Sequence, residues 1–318
     1  MGIVFTHFFL FLSNSFIILW TKIYASCLIS NIRWCIKVSS YFKSPMNYMG
    51  GKYKLLPQIE PLFPKDIEVF VDLFCGGLDV SLNVKSERKI CNDLEPHIID
   101  FYTNIQKLSG EEVHNKLMEI VKEYGLSKEN ADGYNQLRKD YNDNPDFLKF
   151  YSLIAHSFNH QLRYNGSGEF NMPFGKNRSN YNDKLQVRLQ EFVDRIDDSF
   201  TFTNKDFRKM EFSVQNKDKT FVYCDPPYLI TTATYNENGG WTEKEEESLL
   251  RNLDMLNSLG VKFGLSNVIS QNGKTNEILE EWSKKYTIHD LSFNYSNSSY
   301  HKKDRSTSDT REVFICNY

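Results

Sequence analysis

Apolar residues along this chain fall into short blocks that alternate between a strand-like and a helix-like period. VFVDLFCGG, 69–77, is a short apolar run ending in glycines, which predicts a buried parallel strand entering a tight turn. A helical segment, DVSLNVK, is expected next, and RKICND forms a second short strand closing on Asp93. EPHIIDFYTNIQKL carries helical spacing. From residue 200 the alternation resumes. FTFTNKDF (200–207), KTFVYCDPPY (219–228) and VKFGLSN (261–267) read as strands, as do YTIHDLSF and EVFICNY near the end. TEKEEESLLRNLDMLNSLG reads as a capped, solvated helix and GKTNEILEEWSKK as another. Strands alternating with helices predict an α/β fold on a doubly wound sheet.

Residues 111–195 break the alternation. EEVHNKLMEIVKEYG and PDFLKFYSLIAHSF are helix-like, and HQLRYNGSGEFNMPFGKNRSNYN is too long and polar for an ordinary connection. The expected organisation is a sheet domain from 46–110 and 196–318, interrupted by a mostly helical insertion at 111–195.

The amino-terminal pattern is different. Ile3 to Trp20 holds no charged residue, but Thr6, His7 and Ser13-Asn14-Ser15 divide it, and a spanning helix needs roughly 20 predominantly apolar residues. A secretory signal would place positive charge before the apolar run, yet the first lysine is Lys22. Composition changes at Ser44-Pro45-Met46, so residues 1–45 are expected to lie outside the functional core, with Met46 as a second possible start. The alternatives are a weak membrane anchor or a helix packed on the core.

Charge narrows the partners only a little. Thirty-eight basic against 41 acidic residues give a net charge of −3, so any nucleic-acid contact requires a local basic patch. Cys27, Cys35, Cys75, Cys91, Cys224 and Cys316 stand singly, without paired metal spacing, and suit a reduced, cytoplasmic interior. His156 and His160 read as helix-face residues rather than metal ligands, and no metal is expected.

The candidate chemistry lies at Tyr223-Cys224-Asp225-Pro226-Pro227-Tyr228. This segment closes an apolar strand, and open α/β sheets bind ligands at the carboxyl ends of their strands. Two prolines remove two amide donors and stiffen the loop. What remains is an Asp225 carboxylate, the Pro226 carbonyl and the Tyr228 ring. Two acceptors and a ring suit the amine of a flat heterocycle. A rigid exposed turn is the bland alternative. Upstream, strand, glycine turn, helix, strand and terminal Asp93 form a nucleotide-binding βαβ pattern, although Gly76-Gly77 alone is a weak signal.

With these motifs in order, the chain from Met46 to Tyr318 resembles the Dam-like, alpha-type adenine-N6 DNA methyltransferases. YMGGKYKLLPQI, 48–59, is similar to that family's first cofactor motif, which assigns Tyr48 and Lys52 to an S-adenosylmethionine pocket. VDLFCGG resembles its glycine motif, bringing in Asp72, Phe74, Gly76 and Gly77, while Leu78 stands where the motif's last glycine is expected. Asp93 matches the ribose-holding acid, NKDF points to Asp206 and Phe207 beside the cofactor's adenine, and DPPY matches the catalytic motif, Asp225 also facing the cofactor. The resemblance implies a Rossmann-like methyltransferase sheet with an inserted target-recognition domain.

LRYNGSGEFNMPFGK, 162–176, is similar to the family's target-recognition segment, matching at Arg163 and Pro173. An arginine fork can pair bidentately with guanine. Tyr164 and Asn165 would intercalate or support the opened duplex, and Lys176, Arg178, Lys184, Arg188 and the later Lys302, Lys303 and Arg305 would supply positive surface. The implied activity is methyl transfer to the N6 amine of an adenine flipped from double-stranded DNA, with GATC as one candidate site. The implied partner is a restriction endonuclease acting on the same site without a stable complex, and the expected state is a monomer or weak dimer. An RNA adenine methyltransferase and a catalytically idle DNA- or cofactor-binding module are the competing readings. A membrane-associated protein is a third, resting wholly on residues 1–36.

Overall fold

A computed structural model describes residues 41–210, 214–230, 240–292 and 310–318. Its centre is β4 (Thr220–Cys224), buried at every position, which explains the unbroken apolar run there. On one side β4 pairs with β1 (Val69–Asp72), followed outward by β2 (Arg88–Asn92) and β3 (Phe200–Thr203). On the other lies β5 (Lys262–Gln271). These five strands are parallel. A two-residue strand, β6 (Lys274–Thr275), hairpins onto β5; β8 (Thr310–Cys316) pairs antiparallel with β5, and β7 (Thr287–Leu291) pairs antiparallel with β8. The order β3-β2-β1-β4-β5-β8-β7 reverses direction between β1 and β4, and the carboxyl ends of these two strands bound the crevice in which such sheets bind ligands.

Helices cover both faces, as the alternating pattern predicted. α1 (Leu56–Ile59) is a single turn, and α2 (Pro96–Ile105) begins where Glu95 accepts from the His97 amide. α3 (Gly110–Glu123) starts at a Ser109–Glu112 capping box. Then follow α4 (Ala131–Asp143), α5 (Phe147–His156) and α6 (Asp183–Asp194), capped by Asn130, Asp146 and Asn182. On the opposite face, α7 (Glu243–Ser258) and α8 (Glu277–Ser283) pack with Val71, Val222, Phe263 and Val313 of the strands.

Three expectations change in detail. The segment 111–195 is not set apart from the sheet: α5 lies on α2, α3 lies on α6, and their apolar residues share one core with Cys91 and Phe200 of the strands. DVSLNVK forms turns rather than a helix. There the Asn83 side chain donates to the carbonyls of Phe42 and Asp79, competing with the backbone ladder, and Val80 and Val84 are β-branched. The compositional break at Pro45 is also not a packing break. Phe42 and Ser44 are buried, and their amides donate to Asn83 Oδ1 (2.7 Å) and Asp79 Oδ1 (3.1 Å). Residues 1–40, which carry the apolar leader and Cys27 and Cys35, lie outside the described residues, as do Lys302, Lys303 and Arg305. No helix among the described residues is long and apolar enough to cross a membrane.

Candidate active site

A cavity of 610 Å³ opens at the carboxyl ends of β1 and β4, within the range of small-molecule sites. Asp72, the last residue of β1, pairs in register with Tyr223 on β4, and Asp225 follows two residues later. Lys52 is buried beneath them. Its Nζ lies 2.8 Å from Asp225 Oδ2, donates to the Gly50 carbonyl (2.9 Å) and sits 5.1 Å from the centre of the Tyr228 ring. The Tyr228 hydroxyl is 3.2 Å from Asp225 Oδ1 and 3.3 Å from Glu312 Oε1. Burial pushes the Asp225 carboxyl above its ordinary range, and the Lys52 ammonium pulls it back. Asp72 rises to about 7, chiefly by burial, with the Asp225 and Asp93 charges adding to the effect and the Ser81 hydroxyl opposing it.

The glycine turn forms the cavity floor. Gly76 has φ +42°, and a Cβ there would meet the Tyr48 ring at 2.9 Å; one on Gly77 would meet Tyr48 Cβ at 3.0 Å. The pair is therefore required by the aromatic residue of the first motif lying directly on the turn. Leu78, the departure from the glycine pattern, takes φ +65° itself with its side chain fully buried. The backbone thus follows a path open to glycine, with leucine bearing the strain. Asp93 closes the turn from β2, accepting from the Gly76 amide (2.9 Å) and the Glu95 amide (3.0 Å). Burial raises Asp93, and raises Glu95 to about 7.

The remaining wall is aromatic. Phe74, Phe207 and Trp241 stand 5.4–5.6 Å apart, ring centre to ring centre, in tilted and edge-on pairs. Asp206 is drawn into a pair with the Arg208 guanidinium, which holds its carboxyl below the usual range, and Arg208 also reaches Glu245 (3.3 Å). Among the sequence-predicted cofactor and catalytic residues, Tyr48, Lys52, Asp72, Phe74, Gly76, Gly77, Asp93, Asp206, Phe207, Asp225, Pro226, Pro227 and Tyr228 all line this one cavity. Trp241 and Glu312 were missed. Each had a signal: an aromatic residue just before a helix cap, and a lone acid inside an apolar closing strand.

The target-recognition candidates form a separate surface. Bridges between Ser157 and Phe174 and between Tyr164 and Phe170 fold 157–174 back on itself. Arg163 is exposed, its Nε and one terminal nitrogen holding Asn171 Oδ1 (2.8 Å) and the Asn171 carbonyl (3.0 Å). Asn165 braces the turn, accepting from the amides of Ser167 and Glu169. Tyr164 stacks on His97 at 4.5 Å and reaches the Tyr141 hydroxyl (3.1 Å), so its ring supports the hairpin from beneath. Pro173, Lys176 and Arg178 are exposed. Phe158, not foreseen from the sequence, is 39% exposed with the Arg178 guanidinium 5.0 Å from its ring, and the two residues after it both have positive φ. Asn47, beside Tyr48, donates to the Asn159 carbonyl (2.7 Å) and ties this loop to the cavity rim.

The chain is similar to known proteins over most of its length. The model of the D12 class N6 adenine-specific DNA methyltransferases matches residues 48–297. The type II methyltransferase M.FokI of Planomicrobium okeanokoites is 45% identical over 287 residues, covering 89% of this chain and 44% of the relative. Modification methylase StsI of Streptococcus sanguinis is 42% identical over 293 residues, with the same two shares. The DNA adenine methylase of Escherichia coli (strain K12) is 32% identical over 196 residues, 60% of this chain and 66% of the relative. The chain thus spans less than half the length of the first two. Its match to the family model extends from Tyr48 past the DPPY loop, and the chain belongs to the D12 class N6 adenine-specific DNA methyltransferase family.

Proposed function

We propose that this chain transfers a methyl group from S-adenosylmethionine to the N6 amine of an adenine flipped out of double-stranded DNA. The observation that carries the reading is Asp225, held on a proline-stiffened loop at the sheet's switch point, with its Lys52 counter-ion and the Tyr228 ring beside it. The cavity residues fit the cofactor. Asp72 Oδ1 is buried without a hydrogen-bond partner among the described residues, and the aromatic wall suits a purine. Asp72, Asp93 and Asp225 face the cavity, and a cation bound there would favour their ionised forms. Asp93 and Glu95 would hold its ribose; Phe74, Phe207 and Trp241 would flank its adenine.

S-adenosylmethionine, when bound, supplies an electrophilic methyl carbon. The protein's part is to make a poorly nucleophilic amine available. Asp225 and the Pro226 carbonyl accept the two amine hydrogens, favouring a pyramidal nitrogen, and Tyr228 stacks on the base. The nitrogen becomes cationic on alkylation, and its proton passes to Asp225 or to water without a tuned general base. A stacked adenine cannot reach this loop, so the base must leave the duplex. The exposed Phe158 beside the cavity rim is an apolar side chain of the kind that wedges between base steps, and Arg163 is presented for base readout. The names of two relatives, modification methylases StsI and LlaI, favour a protective role beside an endonuclease acting on the same site.

Methyl transfer from labelled S-adenosylmethionine to plasmid DNA and to structured RNA tests the reading. DNA should be the substrate, and Asp225→Ala should lower the rate by about 10²–10⁴-fold while cofactor binding persists. Full activity in that variant, or preference for RNA, would overturn it. Sequencing methylated adenines from an expressing host shows whether GATC or another sequence is read.

A further inference from the structure

Glu246, on the first turn of α7, is fully buried and lies outside the cavity lining. Its Oε2 accepts from Trp241 Nε1 at 2.5 Å, and its Oε1 accepts from Asn276 Nδ2 (2.9 Å) and Asn267 Nδ2 (3.2 Å). Those donors come from three places: the chain before α7, the cap of α8, and β5. An indole nitrogen can only donate, so the group facing it must accept. No ion pair among the described residues includes Glu246. A buried carboxylate balanced by N–H dipoles alone is costly to keep, and burial raises its pKa accordingly. Packing alone would be served as well by an apolar side chain.

We infer that Glu246 is a positioning residue for the cofactor pocket, fixing the Trp241 indole so that it completes a wall with Phe74 and Phe207. The indole lines the cavity, and its Nε1 points away from it into the carboxylate. Without that anchor the ring loses the hydrogen bond that selects its χ2, and the flat surface presented to a purine is held less precisely. The two asparagines hold the carboxylate in turn, so the wall is registered to β5 and α8. This role rests on the S-adenosylmethionine reading above.

The test is calorimetric titration of the full-length chain with S-adenosylmethionine, for wild type, Glu246→Gln, Trp241→Phe and the double variant, with steady-state kinetics alongside. Gln places an amide donor against donors, and Phe keeps an aromatic face but loses Nε1–H. Each single change should weaken cofactor binding about 5–30-fold. KM for the cofactor should rise with kcat at saturation unchanged, and the double variant should lose no more than the worse single, since both remove one constraint. Binding equal to wild type in either variant, or losses that multiply, would overturn the role. If Glu246→Gln does not show a melting transition, Trp241→Phe alone decides by the same criterion. A wild type that binds no S-adenosylmethionine sinks the cofactor reading and this role with it; a wild type that binds, with variants that bind equally, sinks this role alone.

Discussion

The Lys52–Asp225 pair sets the working charge of the site. Asp225 is 17% exposed and Lys52 is 5% exposed, so their contact is screened little by solvent. Burial is the largest influence raising the carboxyl's pKa, and the ammonium is the largest lowering it. Removing the ammonium leaves burial and the Glu312 charge opposed only by the Tyr228 hydroxyl. Lys52→Met should therefore shift the acidic limb of the kcat/KM profile to higher pH, because the carboxylate proposed to accept the amine hydrogens is harder to ionise. It should also cost stability at neutral pH, toward ~3 kcal/mol, since a buried charge loses its partner. Lys52→Arg retains charge and should restore the profile in part. A profile unmoved in Lys52→Met would mean that Asp225 is not the group that must be ionised.

The glycine turn between β1 and the segment after it shows how an element can tolerate a departure from its pattern. Leu78 has the backbone of a glycine and the burial of a core residue. Truncating a buried leucine to alanine costs about 2–5 kcal/mol, whereas relieving a left-handed residue regains about 1–2 kcal/mol. Leu78→Gly should therefore be at least as stable as Leu78→Ala in urea unfolding, reversing the order found where φ is negative. A glycine variant less stable than the alanine one would contradict the positive φ. The elements themselves were largely legible: β1, β2, β4, β5, α2 and α7 follow from apolar period and caps, and the DPPY loop from its place at a strand end. What was not legible depends on contacts distant in sequence. Trp241 joins Phe74 and Phe207 only because the sheet brings their loops together, and Tyr164 turned out to be a support because His97, on α2, lies beneath it. The turn at 79–84 looked helical by spacing, but Asn83 bonds to Phe42, far away in the chain.

Across the whole molecule, the sheet gathers acids at one end far more densely than a net charge of −3 suggests. Asp72, Asp79 and Glu95 all lie beside the cavity with pKa values raised by burial to about 7, about 6 and about 7, against ordinary values of 3.8, 3.8 and 4.5. Between their ordinary and their native values these groups hold protons in the native state that the unfolded chain has already released. Their stabilising contribution is therefore complete at low pH and is lost as pH rises through the native values. His97, His156 and His160, whose pKa values burial lowers, act in the opposite sense below about 6.5, so the wild-type stability curve mixes both effects. A comparison of variants separates them, since the histidines are common to both chains. Asp72→Asn keeps an acceptor for the Ser81 hydroxyl and cannot ionise. Measured without cofactor, its stability relative to wild type should improve by ~2 kcal/mol between about pH 5.5 and about pH 8.5. Asp93 and Asp225, relieved of a neighbouring charge, shift the balance in the same direction. Parallel pH curves for the two proteins would show that Asp72 is already ionised at the lower pH and that the cavity does not hold the proton assigned to it.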